Sequence, residues 1–451
     1  MSDFDDLRSR VQADIFAGLP AHFSRLSWSE ARLRGWQRDR LRALLASATR
    51  RSAFHGRRLA GVDPARFELA DLPSLPAMTK AELMADFDAV SCDPRLTRLA
   101  AERALAATGT EPVPLPGGYL CMATGGSSGQ RGIFAFDGAS VAEFSSLIFR
   151  SRLAALGADP TRVPELTFAM VGAPSAVHGT MFVPSMMAGS PIRFSFVPVT
   201  WPLADIVSRL NELQPQGLFG YPSMLARLAA EQQAGRLAVA PRMVNSTAET
   251  LLPEFRAAIS EAFGAPITDT FATSEGLIGA SAPDEPVITM ATDSCLVELV
   301  DDAGRPVPPG VPSAKVLVTN LYNTLQPLIR YELGDSFTQQ PDSPAHGHLR
   351  VTVAGRSDEI LHYAGADVHP VVLRSVLLAQ PGVVDYLVTQ LPHGVAVLAL
   401  TERDVDLTAL RESLRTALAR VGLANPEVHV EAVSSLPRHP ETGKLRRVIR
   451  A

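Results

Sequence analysis

The sequence predicts an α/β protein, in which a large N-terminal domain with mixed or parallel sheets and flanking helices precedes a small α+β domain. The chain has 451 residues, 46% of them hydrophobic and 20% charged, enough to bury the cores of two or three domains. Short apolar segments alternate with helical patterns between residues 120 and 300, which indicates a largely parallel sheet. A different order of elements after residue 355 indicates the second domain.

Residues 1–100 carry helical patterns. In WQRDRLRALLASATRR, an apolar face is formed by Leu41, Leu44, Leu45 and Ala48, the spacing of a helix that packs on a core. In MTKAEL, Thr79 can cap a helix while Glu82, three residues on, reaches back to the capping residue.

The segment from 120 to 300 supplies the predicted parallel sheet. The order is strand LTFAMVGA, helix PLADIVSRLNELQ, strand GLFGYP, helix SMLARLAAEQQAG, strand RMVNS, helix PEFRAAISEAFG and strand PITDTFA. Because ligands of such sheets bind outside the carboxyl ends of the strands, we expect the site at the loops that follow these strands.

Residues 300–355 change to a turn-rich β pattern, with segments such as AKVLVTNL, LIRYELGDSF and HLRVTVAGR. The remaining chain reads as helix HPVVLRSVLLAQ, strands VVDYLVTQ and GVAVLALT, helix LTALRESLRTALARVG and strand EVHVEAV. This αββαβ order suits a compact domain of about a hundred residues. We place the boundary at residues 355–358 and divide the chain into domains 1–355 and 356–451.

Composition excludes several classes of protein. A net charge of −5 at pH 7 argues against a nucleic-acid partner, which would require clustered positive charge. The acidic start MSDFDDLRSR lacks an export signal, and apolar runs such as VAVLAL are too short to cross a membrane. The cysteines at 92, 121 and 295 form no paired motif, which favours neither disulfides nor zinc. We therefore expect a cytoplasmic protein whose partner is a small molecule.

The stretch ATGGSSGQRG holds glycines, serines and a threonine at residues 124–129. Backbone N–H groups and hydroxyls in such a turn can hold a phosphate, because glycine lets the backbone approach closely. The Walker A pattern is absent, since Gln130 stands where that pattern needs lysine. On these residues alone, a phosphate loop and a surface turn remain equal alternatives.

Two carboxylates stand at other turn positions. Glu275, in DTFATSEG, follows a predicted strand amid hydroxyl side chains and is a candidate Mg²⁺ ligand, the alternative being a solvated surface glutamate. Asp335, in IRYELGDSF, follows Gly334 in a predicted turn and could accept hydrogen bonds from a ribose diol, the alternative being a turn cap.

The C-terminal segment LPRHPETGKLRR can project a lysine from a turn. Gly443 permits the turn and Lys444 follows it, while the neighbouring arginines also allow a basic, partly disordered tail. The chain has 42 basic residues in all, and three of them are lysines, Lys80, Lys315 and Lys444. A lysine is a compact, rotatable point charge, unlike arginine, so its presence at 444 favours a catalytic role over a basic tail.

In this order and spacing, the segments at 124–129, 248–250, 271–275, 330–335, 355–358 and 443–444 resemble the motif series of the adenylate-forming enzymes, which include acyl-CoA synthetases, adenylation domains and luciferases. Within them the chain looks most like the phenylacetate-CoA ligase branch. The segments LPAMTKAEL, FGYPSML, GRSDEILHYAGADVHPVVL and ETGKLRRVI also carry this resemblance, which extends over nearly the whole chain.

The resemblance implies ATP, Mg²⁺ and a thiol acceptor, expected to be coenzyme A. The phosphates of ATP would be held by Thr124, Gly125, Gly126, Ser127, Ser128 and Gly129. The adenine would be lined by Ala248, Glu249, Thr250, Phe271 and Ala272, with Ser274 also at the nucleotide. Glu275 would hold Mg²⁺, Asp335 and Arg356 would bind the ribose, and Asp358 would be the hinge of a mobile C-terminal domain. Lys444 would enter the site for adenylation. The acyl pocket would include His178, Gly179, Phe219, Gly220 and Tyr221.

The chain departs from the family pattern at three places. Gln130 and Arg131 replace the usual lysine or proline pair after the phosphate loop, Phe271-Ala272 replaces a tyrosine-glycine pair, and Ala364-Gly365 replaces an arginine-glycine pair. The last segment would approach the thiol, so a carrier protein or an amine stays open as the acceptor. A catalytically quiet nucleotide-binding protein is the alternative from another class. The resemblance favours an aryl or arylacetic acid as substrate and makes a homodimer plausible.

Overall fold

In the computed structural model, which describes residues 3–124, 131–162, 165–356, 359–368, 370–401, 403–439 and 442–450, the N-terminal segment is helical. Its elements are α1 (Asp3–Arg25), α2 (Glu30–Arg51), α3 (Ala53–Arg58), a 3₁₀-helix (Leu69–Ser74), α4 (Lys80–Ala85), α5 (Phe87–Val90) and α6 (Arg98–Ala107). The buried face of α2 contains the four predicted residues and Leu33. The predicted capping box of α4 is confirmed: the Glu82 N–H donates to Thr79 Oγ1 at 3.2 Å, and Glu82 Oε2 accepts from the Thr79 N–H at 2.7 Å.

A β-hairpin and a long helix precede the main sheet. They are β1 (Leu120–Ala123), β2 (Ile133–Phe136) and α7 (Gly138–Ala155). The strands pair antiparallel, with Ala123 opposite Ile133, so the predicted phosphate loop connects the two arms of this hairpin. Asp137 caps α7, because its side chain accepts a hydrogen bond from the Ser140 N–H at 2.8 Å.

The predicted parallel sheet is confirmed. Its elements are β3 (Leu166–Gly172), α8 (Gly179–Met186), β4 (Ile192–Pro198), α9 (Leu203–Leu213), β5 (Gly217–Gly220), α10 (Pro222–Gln233), β6 (Met243–Thr247), α11 (Pro253–Phe263) and β7 (Ile267–Ala272). Strands β4, β3, β5, β6 and β7 lie side by side in that order, each parallel to its neighbour. Most of their residues are buried, as expected for strands covered by helices on both faces.

Antiparallel strands extend this sheet and form a smaller one. They are β8 (Ile278–Ser281), β9 (Ile288–Met290), β10 (Cys295–Val300), β11 (Lys315–Asn320), β12 (Tyr331–Leu333), β13 (Asp335–Gln339) and β14 (Arg350–Arg356). Within the described part of the chain the main sheet has nine strands in the order β13-β14-β9-β8-β7-β6-β5-β3-β4, while β10, β11 and β12 form a separate three-stranded sheet. The main sheet is therefore mixed, with the parallel strands at one side.

The chain divides into two units, residues 1–354 and 355–451. The second contains β15 (Leu361–Tyr363), β16 (Ala366–Val368), α12 (Pro370–Leu377), β17 (Val383–Leu391), β18 (Gly394–Thr401), α13 (Leu407–Arg420), β19 (Glu427–Val433) and β20 (Val448–Ile449). The αββαβ order is present, and the hairpin β15–β16 and strand β20 are additions to it. Strands β19, β18, β17 and β20 form a sheet in that order with an apolar core of its own.

The three cysteines are buried and unpaired. Burial raises the pKa of the Cys121 thiol to about 12, so this thiol stays protonated at neutral pH. No helix in the described ranges combines the length and the apolar character needed to cross a bilayer.

Candidate active site

Four predicted site segments follow neighbouring parallel strands. They are residues 178–179 after β3, 219–221 at the end of β5, 248–250 after β6 and 271–275 at the end of β7. Because β3, β5, β6 and β7 are parallel neighbours, their carboxyl ends lie along one edge of the sheet, where ligands of such folds bind. The fold therefore brings together the segments predicted for acyl substrate, adenine and metal.

The predicted acyl-pocket residues are mostly buried. His178 precedes α8 and is 8% exposed. The Ala173 N–H donates to the Tyr221 hydroxyl at 3.1 Å, which ties the start of α10 to the end of β3. The ring of Phe219 is fully buried and stacks on Phe168 with their centroids 4.9 Å apart. Phe219 therefore lies in the base of this region and contributes to the core as well.

The predicted adenine segment has a strained backbone. Ala248 has a φ of 69°, a left-handed conformation that costs a residue other than glycine about 1–3 kcal/mol and that clusters at functional sites. Glu249 Oε2 accepts a hydrogen bond from the Ser223 N–H at 3.3 Å, in the first turn of α10. A carboxylate at a helix N-terminus is favoured by the helix dipole, so Glu249 holds this loop against α10.

Two side-chain hydrogen bonds tie the turn that carries Glu275 to the end of β11 and to the loop after it. Asn320 Nδ2 donates to the Glu275 carbonyl at 3.0 Å, and the Tyr322 hydroxyl donates to the Gly276 carbonyl at 3.0 Å. Gly276 has a φ of 98°, and a Cβ there would collide with the Asn320 amide and the Tyr322 hydroxyl. Glu275 is 6% exposed. It is not the solvated glutamate of the alternative interpretation.

The Glu275 carboxylate also influences a buried phenol. Burial raises the pKa of Tyr331 well above its usual value, and the negative charges of Glu275 and Glu332 raise it further. Among the described residues the Tyr331 hydroxyl has no hydrogen-bond partner. A neutral phenol thus lies close enough to Glu275 to feel its charge, and it keeps a hydrogen-bond donor available.

Asp335 is the first residue of β13 and is 7% exposed. It does not lie within a turn, as the sequence pattern predicts, because only Gly334 separates β12 from β13. Arg330, at the start of the same motif, has a structural role. Its Nε and Nη2 donate to the Glu298 carboxylate at 2.9 and 3.0 Å, and its Nη1 donates to the backbone carbonyl of Pro73 at 3.0 Å.

The ends of the phosphate-loop hairpin are described, but residues 125–130 lie outside the described ranges. The Gly132 N–H donates to Thr124 Oγ1 at 2.9 Å, and the Thr124 N–H donates to the Gly132 carbonyl at 3.0 Å. Arg131, beside this closing pair, is exposed. The predicted ligands Gly125, Gly126, Ser127, Ser128 and Gly129, with the departure Gln130, therefore remain predictions.

The C-terminal unit holds Lys444 in a defined turn. The Gly443 N–H donates to the His439 carbonyl at 2.8 Å, the His439 N–H donates to the Lys444 carbonyl at 3.0 Å, and Gly443 has a φ of 63°. Strand β20 pairs parallel with β17, so the chain from Thr442 to Ile449 leads into the sheet of this unit. Arg356 ends β14, but its side chain and the whole of Asp358 lie outside the described residues.

A nucleotide-bound Mg²⁺ fits the residues present. No cluster of three or more His, Cys, Asp or Glu side chains that could hold a metal occurs in the part of the chain that the structure describes. Mg²⁺ on a nucleotide usually takes one or two protein carboxylates, because phosphates and water supply its other ligands. A single carboxylate in a braced, buried turn, Glu275, meets that requirement.

Sequence reasoning missed the residues that support the site from elsewhere in the chain, namely Asn320, Tyr322, Tyr331 and Arg152. Asn320 donates to Glu275 from 45 positions away and Tyr322 donates to Gly276 from 46 positions away, pairings that local sequence patterns do not reveal. Arg152 had a readable signal, since the segment SSLIFRSRLAAL places two arginines inside an apolar helix.

No protein-family model matches the chain. Phenylacetate-coenzyme A ligase of Thermus thermophilus is 27% identical over 93% of this chain and 96% of its own length. Among solved structures, 2-hydroxyisobutyryl-CoA ligase in the postadenylation state matches with a TM-score of 0.69 and 19% identity, over 94% of this chain and 91% of that one. A benzoate CoA ligase of Burkholderia xenovorans matches with a TM-score of 0.53 and 20% identity, over 72% and 67%.

The resemblance seen in the sequence is confirmed, and so is the fold class. The chain has the fold of CoA ligases of the adenylate-forming superfamily. In sequence it is a homologue of phenylacetate-coenzyme A ligase, at 27% identity.

Proposed function

We propose that the protein activates a carboxylic acid with ATP, giving an acyl-adenylate and pyrophosphate, and then transfers the acyl group to the thiol of coenzyme A. One observation carries this proposal: four predicted site segments lie along the same carboxyl edge of the parallel sheet, and buried Glu275 is in one of them. These segments are residues 178–179, 219–221, 248–250 and 271–275. The homologue named phenylacetate-coenzyme A ligase, which matches 93% of the chain, supports it.

The chemistry explains why these residue types are needed. A carboxylate oxygen attacks the α-phosphorus of ATP, the bond from that phosphorus to the bridging oxygen breaks, and pyrophosphate leaves. The thiol then attacks the acyl carbon and AMP leaves. Negative charge accumulates in the first step, and Mg²⁺ held by Glu275 would offset part of it. The chain's own contribution would be the braced carboxylate of Glu275, the proposed phosphate loop at 124–129 and Lys444.

Several roles remain proposals that the resemblance supports. Residues 124–129 would hold the phosphates, Asp335 and Arg356 the ribose, and the adenine would lie against the 248–250 and 271–272 segments. Lys444, in the C-terminal unit, would supply a positive charge during adenylation, with Asp358 as the hinge that lets the unit move. The backbone hydrogen bonds of Gly443 and Lys444 to His439 suit such a lysine, because they fix the backbone from which the side chain extends.

We further propose which class of acid is activated and which molecule accepts the acyl group. An aryl or arylacetic acid is the substrate that the family likeness favours, and coenzyme A is the favoured acceptor; a carrier-protein thiol or an amine would give a different product. Three buried, unpaired cysteines suit a reducing compartment, so we propose a cytoplasmic enzyme. We also propose that it forms a homodimer.

Substrate-dependent exchange of labelled pyrophosphate into ATP tests the proposal. We expect exchange with at least one acid of a panel that spans aliphatic, aryl and arylacetic acids, and a thioester when coenzyme A is added. Separate reactions with a carrier protein and with amines, read by product mass, identify the acceptor. Tight ATP binding by calorimetry without exchange for any acid would instead favour the quiet nucleotide-binding protein.

A further inference from the structure

Arg152, on α7, is a buried arginine that no carboxylate among the described residues neutralises. Its Nη2 donates to Asn245 Oδ1 at 2.9 Å and approaches Thr270 Oγ1 at 3.5 Å, and its guanidinium lies 4.6 Å from the centre of the Phe219 ring. Its side chain is 7% exposed, and its Nε–H has no acceptor among the described residues. All of its contacts in the described part of the chain are to neutral groups.

Arg150, two positions earlier on the same helix, shows how this fold neutralises a buried arginine. Its Nη1 and Nη2 donate to the two carboxylate oxygens of Asp293 at 2.6 and 2.7 Å. An uncompensated buried charge costs several kcal/mol, and burial lowers the pKa of Arg152 to about 9, so at neutral pH Arg152 is still cationic. Of two neighbouring buried arginines, Arg150 is therefore paired with a carboxylate, while Arg152 has no anionic partner among the described residues.

Arg152 lies against the sheet face that leads to the predicted acyl site. Its partners Phe219, Asn245 and Thr270 belong to β5, β6 and β7, and the first of them is a predicted acyl-pocket residue. Thr270 is two residues from Ala272 at the carboxyl end of β7, a distance of about 7 Å along the strand. The side chain that Arg152 approaches is therefore only two strand positions from the edge where adenylation would occur.

A second buried group on this face lacks a partner. The hydroxyl of Thr180, in the first turn of α8, has no hydrogen-bond partner among the described residues. It lies beside the end of β3, since a Cβ at Gly172 would be 3.6 Å from Thr180 Oγ1. A buried polar group without a partner is costly, so two such groups on one face indicate a polar ligand there.

We infer that Arg152 binds a second anionic group of the acyl substrate, so that the acid activated is a dicarboxylic acid, aliphatic or aryl, with its carboxylates about 7 Å apart. This inference rests on the proposed adenylation. An arginine pairs with a carboxylate through two parallel N–H donors, and the free Nε–H supplies one of them. The second carboxylate would provide the missing counter-charge, and the Phe219 ring beneath the guanidinium would orient it.

Pyrophosphate exchange with matched pairs of acids tests the inference in the wild-type protein. Hexanoate is compared with adipate, and phenylacetate with 4-carboxyphenylacetate, each pair differing in the second carboxylate. We expect kcat/KM to be about 100-fold higher for the diacid of at least one pair, the scale on which a buried charge partner discriminates. Equal or higher kcat/KM for both monoacids overturns the inference while the proposed function stands. No exchange with any acid, including the wider panel, overturns both.

Variants add a second readout. Arg152→Met should lower kcat/KM for the diacid about 100-fold and leave the monoacid within a few-fold, whereas Arg152→Lys should recover part of the loss. Without ligand, Arg152→Met should unfold at the wild-type temperature or above it, because it removes an unneutralised charge. Arg150→Met is the matched control and should unfold at a lower temperature, since it removes both guanidinium hydrogen bonds to buried Asp293 and leaves only Arg25, 3.7 Å away, as an ion-pair partner among the described residues. Equal destabilisation by both variants would make Arg152 a structural residue and contradict the inference.

Discussion

The side-chain amide of Asn320 donates a hydrogen bond to the backbone carbonyl of Glu275, with 3.0 Å between Nδ2 and O. Through Oδ1 the same side chain accepts the N–H groups of Tyr322 and Asn323, both at 3.0 Å. Asn320 is fully buried and ends β11. One side chain therefore connects the end of a strand, the loop after it and the turn that carries the predicted magnesium ligand.

Asn320→Asp separates these functions. Aspartate still accepts the two N–H groups but cannot donate to the Glu275 carbonyl, and an unsatisfied buried acceptor costs about 1–3 kcal/mol of unfolding free energy. Because the turn loosens, we expect the Mg²⁺ concentration that supports half-maximal pyrophosphate exchange to rise about 10- to 100-fold, the usual effect of losing an outer support of a metal ligand. Urea unfolding and a magnesium titration of exchange measure both effects.

Asn323→Asp is the matched control. Asn323 Nδ2 donates to the Ala135 carbonyl at 2.8 Å, while its Oδ1 accepts the N–H groups of Leu325 and Gln326. The substitution removes the same kind of donor as Asn320→Asp, but the carbonyl left without a partner belongs to Ala135 in β2 and not to Glu275. This variant should lose similar stability and keep the wild-type magnesium dependence; a shared shift in that dependence would count against a specific role for Asn320.

Gly276→Ala should be far more damaging than the same change at another left-handed glycine. Gly276 and Gly304 have φ values of 98° and 77°, but a Cβ at Gly304 meets nothing within 4 Å, whereas at Gly276 it meets Asn320 and Tyr322. Both variants carry left-handed strain of about 1–2 kcal/mol, and Gly276→Ala adds an overpacking cost of about 1–3 kcal/mol. Denaturant unfolding measures the difference, and equal losses would contradict it.

The sequence predicted elements that depend on local pattern. The alternation around β3, β5, β6 and β7 is a local property, so the parallel sheet and the edge that gathers the site could be anticipated. The antiparallel extension through β8, β9, β14 and β13 could not, because its strands are short and their pairing depends on distant partners. Asp335 shows the same limit, since a glycine-aspartate pair reads as a turn although its aspartate begins β13.

Site residues that stand in sequence motifs could be predicted. Residues that are placed at the site by tertiary packing could not. Glu275 stands in a recognisable motif, but its burial and its support by Asn320 depend on the placement of β11. Arg152 stands in the sequence beside Arg150 inside an apolar helix, a signal that indicates burial but does not identify the partners of its side chain. Its significance comes from the sheet beneath α7, where Asn245 and Thr270 provide neutral partners and no carboxylate.

Lys444→Ala should separate the two half-reactions. Removal of a preorganised charge at the transition state costs about 3–4 kcal/mol, so we expect pyrophosphate exchange to fall by about two to three decades. Thioester formation from supplied acyl-adenylate and coenzyme A should stay within a few-fold of wild type, because the lysine is proposed to act in adenylation. Lys80→Ala, in α4, controls for loss of a lysine as such. Unchanged exchange in Lys444→Ala would refute the assignment.

His55 should make the unfolding free energy depend on pH below neutrality. Its Nε2 lies 3.0 Å from the Pro327 carbonyl oxygen, to which it donates, and the residue is fully buried in α3. Burial lowers the pKa of His55 to about 4; the hydrogen bond to Pro327 opposes this and the nearby Arg58 charge adds to it. Since the unfolded imidazole titrates near its usual value of about 6.5, the unfolded state binds more protons between these two pH values.

The contribution of neutral, buried His55 to the unfolding free energy is therefore fully present above pH ~6.5. It is lost as the pH falls toward ~4, by about 3 kcal/mol in total. His55→Gln keeps a side-chain N–H for the Pro327 carbonyl and removes the titration. We expect the unfolding free energy of the wild type to fall more steeply than that of the variant between these pH values, by about that amount, in urea unfolding at matched salt. If the unfolding free energies of the wild type and His55→Gln fell in parallel with pH, the pKa of His55 would not be lowered by folding and the prediction would be wrong.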